Sequence, residues 1–522
     1  MRVKPPVPAT SIDAAAPASL SPALVRALWL LGLASLAWRA WVSAALPLTG
    51  DEALFYWWSR FLDYGYYDHP PMVAWWIAAA RTLFGDATWA VRLPAVLLPL
   101  GVGGALWWGW APVDRQRAAW AVLLYWLAPV NWLNALVATD TPLIFWAAWS
   151  VAALARAERA AQGGQGGLVA CALSGAFLGA AFLSKYFAVL MGVAYAVYFL
   201  VWARPRAWRL LWIALFAMPG VAVNVVWNLN HCWTNIMFNL FNRNEGATGD
   251  WHLLLTYVLM MAYLVSPVLL WQLWRHRQAF AGAVRRQGLA ACALLVPLLC
   301  FGLMAYSKEI GLHWVMGFFP FLFVLVAWAL PLQAQPRLAR GLAIWLGVHL
   351  LVCVVLAVLP LKTWQHMKYY HRLVEAARSH EMVRQAQAPG VVLMSNAYSS
   401  SSIFGYAAGQ HVPVFGLGGV HARQDDLTVD YARFDGQHIR VITTREPRLS
   451  DYRPYFDQVK LLSYQQDGAT FYVVDGQHFR FAAYRDGVLA EINRRYYRFP
   501  DWLPVWHCTF CERYCGAARC TH

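Results

Sequence analysis

Charged residues are scarce in this sequence, and acidic residues are fewer than basic ones. Asp, Glu, Lys and Arg make up 13% of the 522 residues, with 27 Asp and Glu against 42 Lys and Arg. Hydrophobic residues reach 60%, including 30 Trp. So little charge cannot cover the surface of a water-soluble protein of this length. The composition therefore excludes that class and indicates an integral membrane protein.

The net charge of +15 does not indicate nucleic-acid binding. The arginines are dispersed over loops and the C-terminal region and form no stripe along one predicted element. We therefore expect membrane lipids as partners and no nucleic acid.

Apolar runs long enough to cross a bilayer recur through the first two thirds of the chain and then stop. Eleven spans are predicted, at 24–47, 89–111, 118–137, 141–157, 168–184, 186–203, 210–228, 253–274, 289–306, 313–332 and 341–361. The stretches 118–157 and 168–203 are each split by only a few polar residues. Merging either stretch into one span would remove a crossing and would reverse the predicted membrane orientation of every later segment.

The fold class expected is a polytopic α-helical membrane protein with interfacial helices in its first outer loop, 48–88. Residues 1–23 lack an apolar run and are predicted to be a disordered cytoplasmic N-terminus. Residues 24–361 form the membrane domain. Strand-like runs at 391–394, 439–443 and 470–474, with helices at 363–387 and 402–408, predict an extracytoplasmic α/β domain over 362–522.

Basic residues gather in alternate short loops, which places those loops in the cytoplasm. The opposite loops hold the acids, which are Asp51, Glu52, Asp63, Asp68, Asp86, Asp140, Glu245, Asp250 and Glu309. With an odd number of crossings, the C-terminal domain lies on the acidic side. Carboxylates beside a membrane are costly to keep, so these outer loops are the first place to look for chemistry.

The first outer loop has a helical pattern of aromatic residues. Leu54, Trp57, Trp58 and Phe61 recur at helical spacing, which predicts an interfacial helix with its aromatic face in the headgroup layer. Gly65 is expected to end it, and a second helix should follow Pro70-Pro71. The two helices bracket Asp68-His69.

Four elements carry a family resemblance: Asp51-Glu52, Tyr66-Tyr67-Asp68-His69-Pro70-Pro71, Asp140 and Ser184-Lys185-Tyr186. Over roughly residues 24–361, the chain resembles the GT-C glycosyltransferases, in particular families 39 and 83. These include protein O-mannosyltransferases and lipid A aminoarabinose transferases. The resemblance implies a polyprenyl-phosphate sugar donor, a site on the periplasmic face of the bacterial inner membrane and a catalytic aspartate in the first outer loop.

Such a transfer needs a base for the acceptor hydroxyl and cations for the departing phosphate. Asp51 is the candidate base, with direct displacement inverting the anomeric carbon, and Glu52 is assigned to the catalytic pair. The candidates for holding the donor phosphate are His69, Lys185, Lys308 and Arg60. The candidates for contacting substrate are Asp68, Asp140, Tyr186 and His313. No cofactor is predicted, and a divalent cation is left open.

Each assignment has a structural alternative. Asp51 could cap the interfacial helix, and Asp140, followed by Thr141-Pro142, has the signature of a helix N-cap. Asp68-His69 could form a rigid turn before two prolines. Lys185 could extend towards the membrane interface from an apolar span.

His69 departs from the resembled pattern, because the lipid A aminoarabinose transferases tend to have Glu-Lys-Pro-Pro where this chain has Asp68-His69-Pro70-Pro71. A permanently charged side chain is thereby replaced by a titratable one.

Two further features leave alternatives open. The Asn-rich loop 228–252 could cover the site as a lid or be an ordinary connection. Near the C-terminus, two disulfides are preferred to a zinc site, and Cys232 is taken as a free thiol. The four cysteines of that cluster are Cys508, Cys511, Cys515 and Cys520.

The function predicted is sugar transfer to an envelope acceptor, with lipid A or lipopolysaccharide preferred by resemblance and a secreted protein as the alternative. A lipid-linked sugar transporter or flippase should show symmetric halves and charges within its spans. Here the acids gather in the outer loops, and no internal repeat is evident. A lipid-binding membrane protein would not need a base beside a phosphate site.

Overall fold

The computed structural model describes residues 19–164, 166–242, 249–421 and 423–515. The predicted disordered N-terminus lies mostly outside these ranges, as do Glu245 and Cys520. The helices of the first part are α1 (Pro22–Ala45), α2 (Gly50–Arg60), α3 (Met72–Phe84), α4 (Thr88–Trp110), α5 (Arg115–Leu127), α6 (Pro129–Leu133), α7 (Asp140–Gln162), α8 (Leu168–Phe182), α9 (Val189–Val201), α10 (Arg209–Asn230), α11 (Thr234–Leu240), α12 (Trp251–Val265), α13 (Pro267–Arg275), α14 (Arg277–Arg286), α15 (Gly288–Met304), α16 (Pro320–Ala329) and α17 (Gln335–Val358).

Every predicted span coincides with a helix or with two successive helices. Among the described residues, α1, α4, α10 and α17 are long and apolar enough to cross a membrane. The number rises from four to six if two bent pairs each count as one span: α12 with α13, bent by 86°, and α14 with α15, bent by 106°. The number of eleven crossings stays a prediction.

The two stretches that could have merged are divided into separate helices. The first breaks between α5 and α7, where Pro129 starts the short α6 and Asp140 begins α7. The second breaks at Leu183-Ser184-Lys185, between α8 and the turn that leads into α9. Both interruptions therefore bring polar side chains to helix ends, where a site can be built.

The helix α2 is present as predicted, but its surroundings differ from the prediction. It ends at Arg60, earlier than Gly65. Its aromatic face packs against protein: the Trp57 indole N–H donates to the Ser402 carbonyl at 3.2 Å, and the Tyr56 and Tyr406 rings meet edge to face at 4.9 Å. The prediction that this face lies in lipid headgroups is wrong for Leu54, Trp57 and Trp58, which are buried within the protein, whereas Phe61 is 47% exposed.

The C-terminal part contains a four-stranded sheet with strand order β1-β2-β4-β3. The strands are β1 (Val391–Ser395), β2 (His438–Thr443), β3 (Phe456–Gln466) and β4 (Ala469–Phe479). Strands β1 and β2 pair in parallel and the other neighbours are antiparallel. The helices here are α18 (Tyr370–Ala377), α19 (Ser379–Ala386), α20 (Tyr398–Ala408), α21 (Asp425–Thr428), α22 (Phe481–Tyr484), α23 (Ala490–Tyr496) and α24 (Thr509–Tyr514).

The sheet contains the three predicted strands and one that the prediction missed, β3. This edge strand has mostly exposed side chains, so its sequence lacks a strong apolar signal. The predicted helix at 363–387 is divided into α18 and α19, and the one at 402–408 begins earlier, at Tyr398. The domain boundary at 362 stays a prediction.

The cysteine assignments need correction. Cys232 is bonded to Cys508 across 276 residues of sequence, so it is not a free thiol, and Cys508 does not pair within the C-terminal cluster. Cys511 is also disulfide-bonded. The backbone N–H of Trp506 donates to the Leu229 carbonyl at 2.8 Å, beside this disulfide. The C-terminal segment is thus fastened to the end of α10.

One acidic side chain is buried where α18 packs against α20. Glu375 is 4% exposed, and its Oε1 has no hydrogen-bond partner among the described residues. Burial raises the pKa of Glu375 to about 7, against the opposing effects of the Ser400 hydrogen bond and the Arg372 charge. The folded protein therefore holds this proton at pH values where the unfolded chain has lost it.

The free energy of unfolding of the wild type should fall as the pH rises from about 4.5 to 7, because the folded protein must then give up the Glu375 proton. We predict that Glu375→Gln, which cannot ionise, does not show this fall. Below that window both side chains are neutral and stability should be equal. Above it the variant should be more stable by roughly 3 kcal/mol, because each unit of pKa shift corresponds to about 1.4 kcal/mol. Thermal unfolding in detergent from pH 4 to 8.5 measures the difference, and parallel pH profiles would contradict it.

Candidate active site

A polar cavity of about 370 Å³ lies where the starts of α2 and α7 approach the loop between α2 and α3. Its walls also include the segment before α16 and two residues from the C-terminal part. The lining residues are Asp51, Leu54, Phe55, Asp68, His69, Ala138, Thr139, Asp140, Lys185, Glu309, Gly311, His313, Trp314, Tyr398 and His421.

A second cavity of about 90 Å³ adjoins the first and shares part of its wall. Asp68, His69, Lys185 and Trp314 line both. The smaller cavity is also lined by Pro70, Tyr186, Phe187, Asn239, Met304 and Lys308. Two lysines thus lie around a space next to the acidic cavity.

Most of the predicted site residues meet here. Those that line one or both cavities are Asp51, Asp68, His69, Asp140, Lys185, Tyr186, Lys308 and His313. Glu52 and Arg60 do not. Sequence reasoning did not identify Tyr398 and His421, and no local motif marks either residue.

Asp51 is one of two exposed acids that line the larger cavity, and the other is Glu309. The α2 helix is capped by Thr49, whose hydroxyl accepts from the Glu52 backbone N–H at 3.3 Å. Asp51 lies in the first turn, where the helix dipole favours negative charge. The Tyr398 hydroxyl donates to its Oδ1 at 3.3 Å. Asp51 is therefore not the cap of α2, and its carboxylate is accessible from the cavity.

Glu52 is buried, and its contacts join neighbouring helices. It is 1% exposed and accepts two hydrogen bonds from the Arg92 guanidinium, at 2.8 and 2.7 Å. It also accepts from the backbone N–H groups of Thr49 and Val137, both at 3.1 Å. Arg92 in turn donates to the carbonyls of Leu46 and Pro47. These contacts lock α2 to α4 and to the end of α1, and they keep Glu52 out of the cavity.

Arg60 lies outside both cavities as well. Its guanidinium pairs with Asp86 at 3.1 Å, and its side chain is 44% exposed. The structure therefore does not bring Arg60 to the space where a donor phosphate was predicted to bind.

Asp68 and His69 form a close pair between the two cavities. The Asp68 Oδ2 and His69 Nδ1 atoms are 3.3 Å apart, and Asp68 is 5% exposed. Burial acts to raise the pKa of Asp68, but the charges of His69 and His421 outweigh it and hold the pKa below its usual value. The Asp68 Oδ1 atom is buried without a hydrogen-bond partner among the described residues.

Asp140 and Lys185 form a second pair. The Lys185 ammonium donates to both carboxylate oxygens of Asp140, at 2.9 and 2.7 Å. The His313 Nε2 atom lies 3.9 Å from the same carboxylate. Asp140 is the first residue of α7 rather than its cap, and Lys185 turns inward rather than towards the membrane interface.

The Asn-rich segment 228–252 holds the loop between α2 and α3 in place. On α11, the Asn235 amide donates to the Tyr66 carbonyl at 2.7 Å, and the Asn239 amide donates to the Asp68 carbonyl at 3.1 Å. The Tyr186 hydroxyl also hydrogen-bonds Asn235. The described part of this segment therefore positions the backbone around Asp68 and contributes Asn239 to the smaller cavity wall.

No group of three His, Cys, Asp or Glu residues suited to hold a metal ion occurs within the described ranges.

We predict that the two adjacent acids of α2 differ in their effect on stability. Glu52→Gln should lower the free energy of unfolding by about 3–5 kcal/mol, because it leaves the buried Arg92 without its counter-charge. Asp51→Asn should change it by less than about 0.5 kcal/mol, as is usual at exposed positions. Thermal unfolding of both variants in the same detergent tests this, and equal losses would contradict it.

The chain is similar in sequence to known glycosyltransferases. The family model for dolichyl-phosphate-mannose-protein mannosyltransferases matches residues 68–227. A lipid A galacturonosyltransferase of Rhizobium johnstonii, RgtD, is 31% identical over 191 residues. That match covers 36% of this chain and 39% of the relative, so it spans well under half of either protein.

The fold is also found among solved structures. ArnT from Cupriavidus metallidurans in the apo state superposes with a TM-score of 0.63 at 14% identity, covering 87% of this chain and 98% of ArnT. The structure of the same protein bound to undecaprenyl phosphate gives a TM-score of 0.60 at 14% identity, covering 87% and 97%. The chain therefore has an ArnT-like fold, and the resemblance to GT-C glycosyltransferases is confirmed.

Proposed function

We propose that this protein is a membrane glycosyltransferase that moves a sugar from a polyprenyl-phosphate donor to a hydroxyl of lipid A or a related envelope glycolipid. The observation that carries the proposal is the joining of two cavities, one beside an accessible carboxylate and one beside two lysines. The matches to a lipid A galacturonosyltransferase and to an ArnT that binds undecaprenyl phosphate support the choice of donor and acceptor.

The smaller cavity suits the donor phosphate. The cationic side chains around it are Lys185, Lys308 and, when protonated, His69. Charge-assisted hydrogen bonds from such groups stabilise a phosphate, and they do so more strongly as the phosphate gains charge while it departs. Because Asp140 already pairs with Lys185, the lysine is held in position before the donor arrives.

The larger cavity suits the acceptor and the sugar. In the proposed reaction, the acceptor hydroxyl oxygen attacks the anomeric carbon while Asp51 removes its proton. The bond between the anomeric carbon and the phosphate oxygen breaks, and its electron pair stays on the polyprenyl phosphate. A single displacement of this kind inverts the anomeric carbon. Asp68 lines both cavities, and we assign it to accept a hydrogen bond from a sugar hydroxyl.

The site is proposed to lie on the periplasmic face of the bacterial inner membrane. The clustering of acids in alternate loops and the requirement for a donor that is already activated in the membrane both support this placement. Transfer to a protein is the alternative, favoured by the match to mannosyltransferases that act on proteins.

We predict that Asp51→Asn lowers kcat for transfer to a hydroxyl acceptor by about 10²–10⁴-fold, the usual contribution of a general base. Affinity for undecaprenyl phosphate should stay within about twofold, since the amide keeps the shape of the carboxylate. Sugar transfer to lipid A in reconstituted membranes gives kcat, and ligand titration gives the affinity. The control is Asp86→Asn, an acid of the same loop that pairs with Arg60 and Arg81. Unchanged turnover in Asp51→Asn would exclude it as the base.

We predict that Lys308→Ala weakens binding of undecaprenyl phosphate by about 10–100-fold, because one charge-assisted contact is lost. Lys308→Arg should restore most of the affinity, since it keeps the charge. Titration of the purified protein with undecaprenyl phosphate measures both. The matched control is Lys460→Ala, at an exposed position of β3. Equal affinity in wild type and Lys308→Ala would place the donor phosphate elsewhere.

A further inference from the structure

A large groove of about 1190 Å³ lies outside the two site cavities, between α11 and the end of α23. One wall is apolar and is formed by Met237, Leu240 and Phe241. The opposite wall is basic and carries three arginines, which are Arg494, Arg495 and Arg498. The proposed reaction uses none of these side chains.

The basic wall has an excess of positive charge. Among the groove residues that the structure describes, Glu491 is the single carboxylate against three arginines, and it pairs with both Arg494 and Arg495. Three guanidinium groups against one carboxylate leave two positive charges in excess, and guanidinium stays protonated at any physiological pH. The side chains of Arg494 and Arg495 are 66% and 53% exposed, so a ligand can reach them. This charge complements a phosphate monoester, which carries close to two negative charges at neutral pH.

The apolar wall is exposed at the level where a membrane boundary is expected. Leu240 and Phe241 are 62% and 57% exposed. They follow closely on α10, which is long enough to cross a membrane and ends at Asn230. Trp506, which is 60% exposed, donates its backbone N–H to Leu229 near the same helix end. Exposed tryptophan and other large apolar side chains at such a level are typical of contact with the membrane interface.

The groove adjoins the proposed active site. The α11 helix separates them: its Leu240 lines the groove, while its Asn239 lines the smaller cavity. Further along the chain, Val420 lines the groove and the next residue, His421, lines the larger cavity. A molecule in the groove is therefore one helix away from the reacting groups.

We propose that this groove binds the acceptor, a membrane glycolipid that carries phosphate. Its phosphate would contact the three arginines and its hydrocarbon would lie along Leu240 and Phe241, with the sugar hydroxyl reaching the cavity past α11. The assignment rests on the proposed function. The proposed function places the donor elsewhere, because its phosphate is bonded to the anomeric carbon and is assigned to the lysines of the smaller cavity.

The test uses the full-length protein in detergent and measures binding rather than catalysis. The probes are lipid A carrying both phosphates, the same lipid A dephosphorylated, and undecaprenyl phosphate. Each is titrated against wild type and against the triple variant Arg494→Ala, Arg495→Ala, Arg498→Ala. The control is the triple variant Arg433→Ala, Arg445→Ala, Arg448→Ala, which removes the same charge from exposed positions elsewhere in the C-terminal part.

We expect the groove variant to bind phosphorylated lipid A at least about tenfold more weakly than wild type, while the control variant binds it unchanged. Dephosphorylated lipid A should bind weakly to all three proteins. Undecaprenyl phosphate should bind all three equally, which also shows that the groove variant is folded. Replacement of the three arginines by lysine should recover part of the affinity, since the charge is kept.

Equal binding of phosphorylated lipid A to wild type and groove variant would overturn the proposal. Loss of undecaprenyl phosphate binding in the groove variant, with recovery in the lysine variant, would assign the groove to the donor and would also overturn it. A failure of the proposed function has a different signature, namely arginine-dependent binding of lipid A without sugar transfer from any polyprenyl-phosphate donor.

Discussion

The geometry of the site depends on one buried ion pair. Glu52 and Arg92 are almost fully excluded from solvent, and isolated burial of either charge would be strongly unfavourable. Each is instead satisfied by its partner and by backbone groups from α2, from the end of α1 and from the chain before α7. The pair thereby fixes the start of α2 relative to α4. Successive side chains of a helix point about 100° apart. Asp51, which directly precedes Glu52, therefore faces the cavity while Glu52 faces the protein interior.

The same principle organises the charges inside the cavities. Asp140 pairs with Lys185, and Asp68 lies against His69, so acids and bases alternate around a shared space. Pairing makes it feasible to keep charged groups in a largely buried place. It also keeps charged side chains of both signs, such as Asp68 and Lys185, in the walls of both cavities. A ligand with both hydroxyls and a phosphate finds acceptors and donors already positioned.

Features with a local cause were predictable from the sequence. The helix boundaries follow from prolines, capping residues and polar interruptions, and eight predicted site residues lie beside such boundaries. The burial of α2 was not predictable, because an aromatic helix face has the same pattern whether lipid or protein covers it. Tyr398 is 347 residues from Asp51, and Cys232 is 276 residues from Cys508. Contacts over such distances leave no periodicity or spacing that a single sequence can reveal.

The late position of Tyr398 and His421 in the chain bears on biosynthesis. Among the described residues, the helices long enough to span a membrane all end before residue 359, yet the larger cavity lacks part of its wall until His421 has been added. Cys508 then fastens the final segment to Cys232, just after α10. A nascent chain can therefore insert its helices with the pocket still unfinished. A chain that ends before residue 421 lacks this part of the wall, so the cavity is complete only late in synthesis.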